Sequence, residues 1–325
     1  MSESRREYNM RINRAMDYIE VNLHRELTLR EIAEYAWFSP YHFHRIFSGV
    51  TGETLAAFIR RLRLEKAASQ LVACPGRSVT AIALDCGFSS SSVFSRCFRK
   101  QFGMTAVAWR GGGYRKECKT VRKNRQAANG PGDYDDPVDI GIQQRITGWN
   151  NEKTDRRIET MTVQQGKVEV RTLDEMIVAY VRHVGPYAGD SALFEGLFAR
   201  LMRWAGPRGL LNRPDLKVLI VYHDNPDVTD HSKLRTSVCV TVPGDTEISG
   251  EIGRMTIPGG KYACGYFELK SDEFQGAWDD MCGRWLPDSG WQPDDRPCFE
   301  LYLNDHTHHP EGKHIVEICV PVKPL

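Results

Sequence analysis

The chain carries LTLREIAEYAWFSPYHFHRIFSGVTGET from Leu27 to Thr54, and this stretch decides the fold of its first third. A second stretch, RSVTAIALDCGFSSSSVFSRCFRKQFGMT from Arg77 to Thr105, repeats the pattern. At an offset of 50 residues Phe38-Ser39 recurs as Phe88-Ser89, and with one extra residue the F-x-R-x-F spacing recurs as well. Each copy reads as a helix, a short turn and a second helix with apolar residues at helical spacing, so the chain is predicted to hold two helix-turn-helix units.

The second helix of each unit is expected to present a polar face. Phe43 and Phe47 lie four residues apart and should point inward in the first unit, as Phe94 and Phe98 should in the second. The outward residues are cationic or hydrogen-bonding, which suits contacts with phosphates and base edges. The predicted DNA contacts are Tyr41, His42, His44, Arg45, Ser91, Ser92, Ser95, Arg96 and Arg99.

Capping residues indicate where these second helices begin. Ser39 followed by Pro40 predicts a helix start, because the hydroxyl can cap a backbone N–H and Pro fits the first helical position. Ser89 is expected to cap the corresponding helix of the second unit.

Charge separates the chain into two parts of opposite sign. Residues 1–125 carry 22 Lys and Arg against 11 Asp and Glu, a balance of +11, whereas residues 126–325 carry 21 against 31, a balance of −10. A basic domain neutralises phosphates and releases their counterions, whereas an acidic one is repelled by DNA. DNA contact is therefore expected in the first part, the alternative being an ordinary helical domain with a solvated basic face.

From about Asn9 to Arg110 the chain resembles the DNA-binding domain of AraC/XylS-type transcription regulators. The resemblance is carried by SPYHFHRIF, by the connecting segment TLAAFIRRLRLEKAASQLV, and by IALDCGFSSSSVFSRCFRKQFGMTAVAWR. It implies an all-α domain, set here at residues 1–112, in which one long helix joins two units whose second helices enter successive major grooves.

Residues 113–160 are Gly-rich and then basic, with weak hydrophobic periodicity, and are expected to form a linker. The linker is expected either to contact DNA or to be partly disordered. Its basic residues are Lys116, Lys119, Arg122 and Lys123.

The composition predicts a cytoplasmic protein. No run of eighteen apolar residues is present and the N-terminal MSESRREYNM is polar, so neither a membrane span nor a secretory signal is expected. Nine cysteines occur without a CxxC pair, which favours reduced thiols in the core. A solvated loop with Pro and Gly, rather than a metal site, is expected for His306, His308, His309 and His314.

Residues 161–325 are expected to form a duplicated α+β domain, because a repeat of about 80 residues runs through them. Phe194 recurs as Phe274 and Tyr222 as Tyr302, and SVCVTVP recurs as VEICVPV. The segments KVEVRTLDEMIVAYVRHV and RMTIPGGKYACGYFEL are expected to open the two copies as β-hairpins. Two such halves side by side predict a ligand groove with pseudo-twofold symmetry.

One position breaks this repeat, because Glu300 stands where the first copy has Ile220. Alternation puts Glu300 and Tyr302 on one face of the strand CFELYL. A buried carboxylate is costly unless pairing, hydrogen bonding or a raised pKa offsets the cost, whereas a solvent-facing glutamate at a strand edge needs no such explanation. The many aromatic residues of this half favour a buried site for a lipophilic cation. The predicted effector contacts are Glu300, Tyr302, Tyr187, Tyr222, Trp204, Phe267, Trp278 and Trp291.

From about Lys167 to the C-terminus the chain resembles the gyrase-inhibitor-like (GyrI-like) effector-binding domains, through HVGPY, IPGGKYA, FELYLND and VEICVPV. In that family the glutamate of the F-E-x-Y-x-N-D strand lies in an aromatic-lined pocket for hydrophobic or cationic small molecules. By position this residue is Glu300, so the resemblance implies a multidomain transcription regulator whose C-terminal domain senses a small molecule.

The leading hypothesis is therefore a ligand-responsive transcription regulator that is not an enzyme. No cofactor is expected, because no G-x-S-x-G, P-loop or dinucleotide motif is present. The expected partners are double-stranded promoter DNA and a small-molecule effector, with RNA polymerase as a further candidate and no membrane. Two alternatives stay open: a small hydrolase with Glu300 as general base beside Tyr302, and a module that binds gyrase or RNA polymerase.

Overall fold

The computed structural model describes residues 3–113, 167–226 and 229–324, apart from the side chains of residues 3–5, 41 and 42. They belong to two compact units, one helical and one built on a β-sheet. The side chains of Tyr41 and His42 and nearly all of the predicted linker lie outside the described residues. The linker residues so excluded are Lys116, Lys119, Arg122 and Lys123.

The helical unit contains the two helix-turn-helix units that the repeat predicts. Its described α-helices are α1 (Glu3–Val21), α2 (Leu29–Tyr35), α3 (Pro40–Thr51), α4 (Leu55–Ala73), α5 (Val79–Asp85), α6 (Ser91–Phe102) and α7 (Ala106–Ala108), followed by a π-helical turn at Trp109–Gly113. Helices α2 and α3 form the first unit, α5 and α6 form the second, and the 19-residue α4 joins them. Within the described segments, no helix of the chain is long and apolar enough to cross a membrane.

Each helix-turn-helix unit has its own hydrophobic core. Phe43 and Phe47 are fully buried in the first core, and Phe94 and Phe98 are fully buried in the second, as their spacing predicts. Glycines at equivalent positions end both second helices in the left-handed conformation, Gly52 at φ 72° and Gly103 at φ 68°.

The helix starts correct two details of the sequence prediction. Ser39 precedes Pro40 at the start of α3, as predicted, but its side chain makes no capping hydrogen bond. Ser90, and not Ser89, caps α6, since the Ser90 hydroxyl accepts a hydrogen bond from the backbone N–H of Val93. The second turn is one residue longer than the first, and this extra residue moves the cap.

The other compact unit, called the sheet unit below, is an antiparallel sheet with helices. Its strands are β1 (Val168–Leu173), β2 (Met176–Val184), β3 (Val218–Tyr222), β4 (Arg235–Thr241), β5 (Gly253–Ile257), β6 (Gly260–Leu269), β7 (Trp291–Pro293), β8 (Cys298–Tyr302) and β9 (His314–Pro324). The first repeat carries the continuous helix α8 (Ser191–Ala205). The second repeat carries α9 (Phe274–Asp279), a π-helical segment (Asp280–Trp285) and α10 (Leu286–Asp288).

The strand order has pseudo-twofold symmetry. It reads β1-β6-β9-β8-β3-β4-β2-β5, with β7 attached to β9. The first repeat supplies β1 to β4, and the second supplies β5, β6, β8 and β9 in the corresponding roles. If each strand is replaced by its counterpart in the other repeat, the same strand order is read from the opposite end of the sheet. The pseudo-twofold axis therefore lies between β3 and β8. The duplicated α+β fold is therefore confirmed.

The predicted hairpins at the start of each repeat were wrong. Strand β1 pairs with β6 and β2 pairs with β5, at opposite ends of the sheet. Only residues 174–175 join β1 to β2, and only residues 258–259 join β5 to β6. Because consecutive Cα atoms are about 3.8 Å apart, each connection spans at most about 11 Å, so the two ends of the sheet must approach each other.

The sheet therefore curls, and its two faces have different neighbours. One buried cluster contains strand residues without helical ones, among them Tyr180, Leu219, Phe299 and Cys319, and we assign it to the inner face. The other two clusters combine strand residues with those of α8 and of the α9 region, so the helices cover the outer face. Glu300 lies on this outer face, because it alternates with Phe299 along β8.

Candidate functional site

The described residues that were predicted to contact DNA lie on the second helices of the two units. On α6 most of them are exposed and Ser91 is half-buried, while on α3 both described residues are exposed. The opposite side of each helix is held by its buried phenylalanines, so these side chains face away from the core. The exposed residues are His44, Arg45, Ser92, Ser95, Arg96 and Arg99.

A cleft of about 550 Å³ lies beside α6. Three cations line it, Arg96, Arg99 and Lys100, and Lys100 was missed in the sequence prediction although it continues the same helix face. A concave surface lined by three cations is suited to a phosphate group. The remaining lining residues are Val79, Ser95, Thr105, Ala106 and Val107.

Helix α4 sets the separation of the two helix-turn-helix units, because it contributes to the hydrophobic cores of both. Leu62 packs into the first core and Leu64 into the second. A buried ion-pair cluster anchors this helix to the end of α3, with Arg61 Nη2 2.6 Å from Glu53 Oε1 and Arg61 Nη1 3.2 Å from Glu65 Oε2. A buried cluster of this kind holds α4 firmly against the first helix-turn-helix unit, since breaking it leaves an unpaired charge in the core.

In the sheet unit, Glu300 is buried at the centre of the sheet. Its strand β8 lies between β3 and β9, and the residue is 1% exposed, which excludes the solvent-facing edge position. Trp278 Nε1 donates a hydrogen bond to Glu300 Oε1 at 2.7 Å, and the Tyr302 hydroxyl donates to Oε2 at 3.0 Å. Both carboxyl oxygens therefore have an aromatic donor.

Burial and hydrogen bonding act on this carboxyl in opposite directions. Burial raises the pKa of Glu300 and is the largest effect, while hydrogen bonds from Trp278, Tyr302 and Tyr222 lower it. Burial, followed by the charge of Glu300, raises the pKa of both tyrosines well above the ordinary value. Within the described part of the chain, no Lys, Arg or His is among the partners of Glu300.

Glu300 lies directly beside the pseudo-twofold axis. In the β3–β8 ladder Ile220 is directly opposite Glu300, and Val218 is opposite Tyr302. Since Ile220 and Glu300 are equivalent positions of the repeat, the axis passes between them. Glu300 is therefore next to the axis, where its carboxyl is covered by side chains, and the ligand groove stays a prediction.

Aromatic rings surround the carboxyl. Tyr222 contacts the Trp278 ring edge-on at a centroid distance of 5.6 Å, and Tyr187 contacts Tyr222 at 5.5 Å. Phe198 and Phe274 contact Tyr302 at 6.2 and 6.4 Å and were missed as site residues. The repeat alignment could have identified both, because Phe198 is equivalent to Trp278 and Phe274 is equivalent to Phe194.

Three of the predicted effector contacts, Trp204, Phe267 and Trp291, take no part in these ring contacts, although they pack in the same hydrophobic clusters as Tyr302. Trp204 donates its indole N–H to Ser249 Oγ at 3.4 Å. Phe267 lines a separate cleft of about 410 Å³ beside the π-helical segment. Trp291 lies on β7, with Lys261 Nζ 5.3 Å from its ring centroid. Aromatic composition alone does not distinguish these positions from those near the axis.

His314 also differs from its prediction, because it lies in β9 rather than in a solvated loop. Its ring is 5.9 Å from that of Tyr302 and stacks on His306 at 4.1 Å. Burial is the main cause that lowers the pKa of His314 to about 4, so the ring is neutral at pH 7. Among the residues that the structure describes, no group of three or more metal-type ligands comes together.

Comparison with known proteins identifies both units. A family model for the GyrI-like small molecule binding domain matches residues 166–323, and a helix-turn-helix model of the AraC type matches residues 32–112. The DNA gyrase inhibitor of Citrobacter rodentium is 32% identical over 160 residues, which cover 48% of this chain and 97% of that protein. The DNA gyrase inhibitor of Escherichia coli strain K12 is 32% identical over 159 residues, covering 48% of this chain and 96% of that protein.

Among solved structures, an AraC-type transcriptional regulator from Chromobacterium violaceum is 30% identical, with a TM-score of 0.30, and the match covers 31% of this chain and 89% of that chain. The two family models, taken with the near-complete coverage of the gyrase inhibitors, account for both described units. The chain therefore belongs to the AraC-type helix-turn-helix regulators that carry a GyrI-like small-molecule binding domain.

Proposed function

We propose that this DNA-binding regulator responds to a hydrophobic cation that binds at Glu300. The observation that carries the proposal is a carboxyl that is 1% exposed, has aromatic donors on both oxygens and has no cationic partner in the described residues. Ionising such a group is costly, because the charge is removed from water without a counter-ion. A cationic effector supplies that counter-ion.

The aromatic surroundings favour the same ligand class. Rings of Tyr222, Trp278 and Tyr302 lie next to the carboxyl, and ring faces attract a cation that has lost its water shell. In a low-dielectric site the attraction between the cation and the carboxylate is far stronger than in water. A neutral compound of the same shape gains the ring contacts alone, so charge is expected to determine selectivity.

Access to Glu300 requires side chains to move. Trp278 covers one carboxyl oxygen and belongs to α9, which is six residues long and continues directly into a π-helical segment. The equivalent part of the first repeat is one continuous helix of 15 residues. We infer that the α9 region, and not α8, is displaced by the effector, because a short helix with a π-segment has fewer regular hydrogen bonds to lose.

For the helical unit we propose that Arg45 and Arg96 contact DNA bases or phosphates, together with the other residues of the predicted set. The exposed face of α6, the cationic cleft beside it and the balance of +11 in residues 1–125 support this assignment. We further propose domain limits at residues 1–112 and 161–325, a linker at 113–160, and RNA polymerase as the partner through which DNA binding alters transcription.

Two other functions compete with this proposal. A raised pKa is what a general base needs, so hydrolysis of a small reactive compound by Glu300 is the second candidate. The gyrase inhibitors that match the chain make DNA gyrase a competing partner. Turnover of an activated ester that stops in Glu300→Gln would favour hydrolysis, and inhibition of DNA supercoiling by the full chain would favour gyrase binding.

Calorimetry with two matched probes tests the proposal. Benzyltrimethylammonium and neopentylbenzene have the same shape and differ in charge. We expect the wild-type protein to bind the cation about tenfold or more tightly than the neutral probe, and Glu300→Gln to lose that preference, because the substitution removes the charge and keeps the shape. Equal affinities for both probes in the wild-type protein would contradict the assignment of Glu300.

A further inference from the structure

Cys264 and Cys319 face each other on the inner side of the sheet, away from Glu300. They are directly paired in the β6–β9 ladder, and Cys319 Sγ donates a hydrogen bond to Cys264 Sγ at 3.6 Å. Both are buried, at 4% and 0% exposed. Residues opposite each other in an antiparallel ladder have Cα atoms about 4.5–5.5 Å apart, which lies within the range of about 4.4–6.8 Å that a disulfide requires. Side-chain rotation alone can therefore bring the two sulfur atoms into bonding distance.

An arginine lies over one of the two thiols. Arg171 on β1 donates from Nη2 to Glu317 Oε2 on β9 at 2.7 Å, and β6 is the strand between them. Arg171 is opposite Tyr262 in the register and Glu317 is opposite Tyr266, so Cys264 lies between the two ends of the ion pair. The side chains of Arg171 and Glu317 are 34% and 17% exposed, so the ion pair is partly solvated, and Arg171 also interacts with the Cys264 thiol.

These contacts give the two thiols different roles. The hydrogen bond from Cys319 and the interactions with Arg171 lower the pKa of Cys264 in spite of its burial, whereas burial raises the pKa of Cys319. The thiolate is the reactive form of cysteine. Cys264 is therefore suited to attack an oxidant, and Cys319 is suited to supply the second thiol.

We propose that Cys264 and Cys319 are an oxidation site at which hydrogen peroxide converts two thiols into a disulfide between β6 and β9. In the first step the Cys264 thiolate attacks one peroxide oxygen, the O–O bond breaks, and after protonation the products are a sulfenic acid and one water. In the second step the Cys319 sulfur attacks the Cys264 sulfur, its proton goes to the departing hydroxide, and a second water leaves. Two thiols and one peroxide thus give one disulfide and two waters.

The first repeat supplies a matched internal control. There Cys239 holds the place of Cys319, but its ladder partner is Tyr180. Both cysteines are fully buried in the same cluster of the inner face. Peroxide that merely penetrated the core would modify Cys239 as readily as Cys319, whereas the proposed chemistry depends on a thiolate opposite the second thiol.

Peptide mapping of the full chain tests the site. The protein is treated with hydrogen peroxide, denatured in the presence of an alkylating agent that blocks free thiols, and digested. All samples carry Cys282→Ser, because Cys282 is exposed. We expect a linked Cys264–Cys319 peptide that lacks two hydrogen atoms and is recovered as two alkylated peptides after reduction, while Cys239 stays alkylated throughout. If Cys264 and Cys319 remain free thiols, or are oxidised no faster than Cys239, the proposal fails.

Two variants separate the roles within the pair. Cys319→Ser should leave Cys264 as a sulfenic acid that dimedone traps, whereas Cys264→Ser should leave Cys319 unmodified. Arg171→Met should slow disulfide formation about tenfold at neutral pH, and the rate should recover as pH rises and the Cys264 thiol ionises without the guanidinium. Equal rates for Arg171→Met and the parent protein at every pH would show that Arg171 does not activate Cys264.

Discussion

Both units of this chain are internal duplications, but they use the duplication in opposite ways. In the helical unit the two copies keep the same chemistry, with Arg45 recurring as Arg96 on an exposed helix face. In the sheet unit the copies keep Tyr222 and Tyr302 but differ at their centre, where Ile220 faces Glu300. In the proposed function, the first duplication repeats a binding surface, whereas the second builds one site from two unequal halves.

The geometry of each repeat explains this difference. The helix-turn-helix copies lie at the two ends of the 19-residue α4, so each has its own solvent-exposed face and a repeated groove of DNA can meet both. In the sheet, positions 220 and 300 are directly opposite, with Cα atoms about 5 Å apart. Two carboxylates there would share one buried site and repel each other, so one copy alone can carry the charge.

The largest effect is expected when the sheet repeat is made symmetric. Ile220→Glu places a second carboxyl opposite Glu300 in a position that is 2% exposed, and should destabilise the unit by about 3–5 kcal/mol at neutral pH because it leaves an uncompensated buried charge. The loss should shrink on acidification, since protonation removes the repulsion. Chemical unfolding as a function of pH measures it.

Ile220→Gln is the control for this prediction, because it adds a polar group of nearly the same size without charge. A glutamine variant as unstable as the glutamate variant at neutral pH would show that polarity or shape, and not like charge on the axis, makes the two copies unequal.

A second test replaces one helix residue of the second repeat by its counterpart in the first. Trp278→Phe installs the residue that the first copy has at Phe198, and removes the indole donor 2.7 Å from Glu300. A hydrogen bond to a charged group contributes about 1.5–3 kcal/mol, so this loss should appear where Glu300 is ionised and fade below its pKa. Trp285→Phe, on the π-helical segment that continues α9 but lining the separate cleft, should show no such pH dependence.

The sequence predicted local features well because they depend on neighbouring residues. The F-x-R-x-F spacing was enough to predict the burial of Phe43, Phe47, Phe94 and Phe98, since a helix face repeats every three to four residues. The break at Glu300 was visible for the same reason, because the repeat aligned it with Ile220. The cap of α6 was misplaced by one residue, since four successive serines gave no local signal for the longer turn.

Long-range pairing was not accessible in this way. A two-residue polar connection between two apolar segments is typical of a hairpin, yet β1 pairs with β6 about 90 residues away and β2 with β5. The same limit affected the aromatic residues. Phe267 lies on β6, two strands away from β8 in the sheet, and neither this separation nor its distance from Glu300 follows from composition.

The helical repeat should behave in the opposite way, with equal effects from equivalent substitutions. Arg45→Ala and Arg96→Ala should each weaken binding to the operator by about 1–3 kcal/mol, and relax sequence preference where the arginine contacts a base. Gel shifts at fixed salt measure both, with Arg6→Ala on the exposed surface of α1 as the control. Unchanged binding in both variants would remove Arg45 and Arg96 from the interface.

The smallest effect is expected when the charge on the axis is removed. Burial raises the pKa of Glu300 in the folded protein, so the folded state holds its proton more tightly than the unfolded chain does. The wild-type protein therefore loses stability as pH rises from the unfolded pKa of about 4.3 through the folded pKa, by about 1.4 kcal/mol for each unit by which folding raises it.

Glu300→Gln does not titrate, so the difference in unfolding free energy between the two proteins should move in favour of the variant over that pH range and then level off. Gln can still accept the hydrogen bond from Trp278, which keeps the neutral contacts comparable. A saturating cationic probe should reduce the difference, because it stabilises the carboxylate of the wild-type protein and has no charge to meet in the variant. A difference that stays constant from about pH 4 to pH 8 would mean that Glu300 has an ordinary pKa, and the asymmetry of the sheet repeat would then not be one of charge.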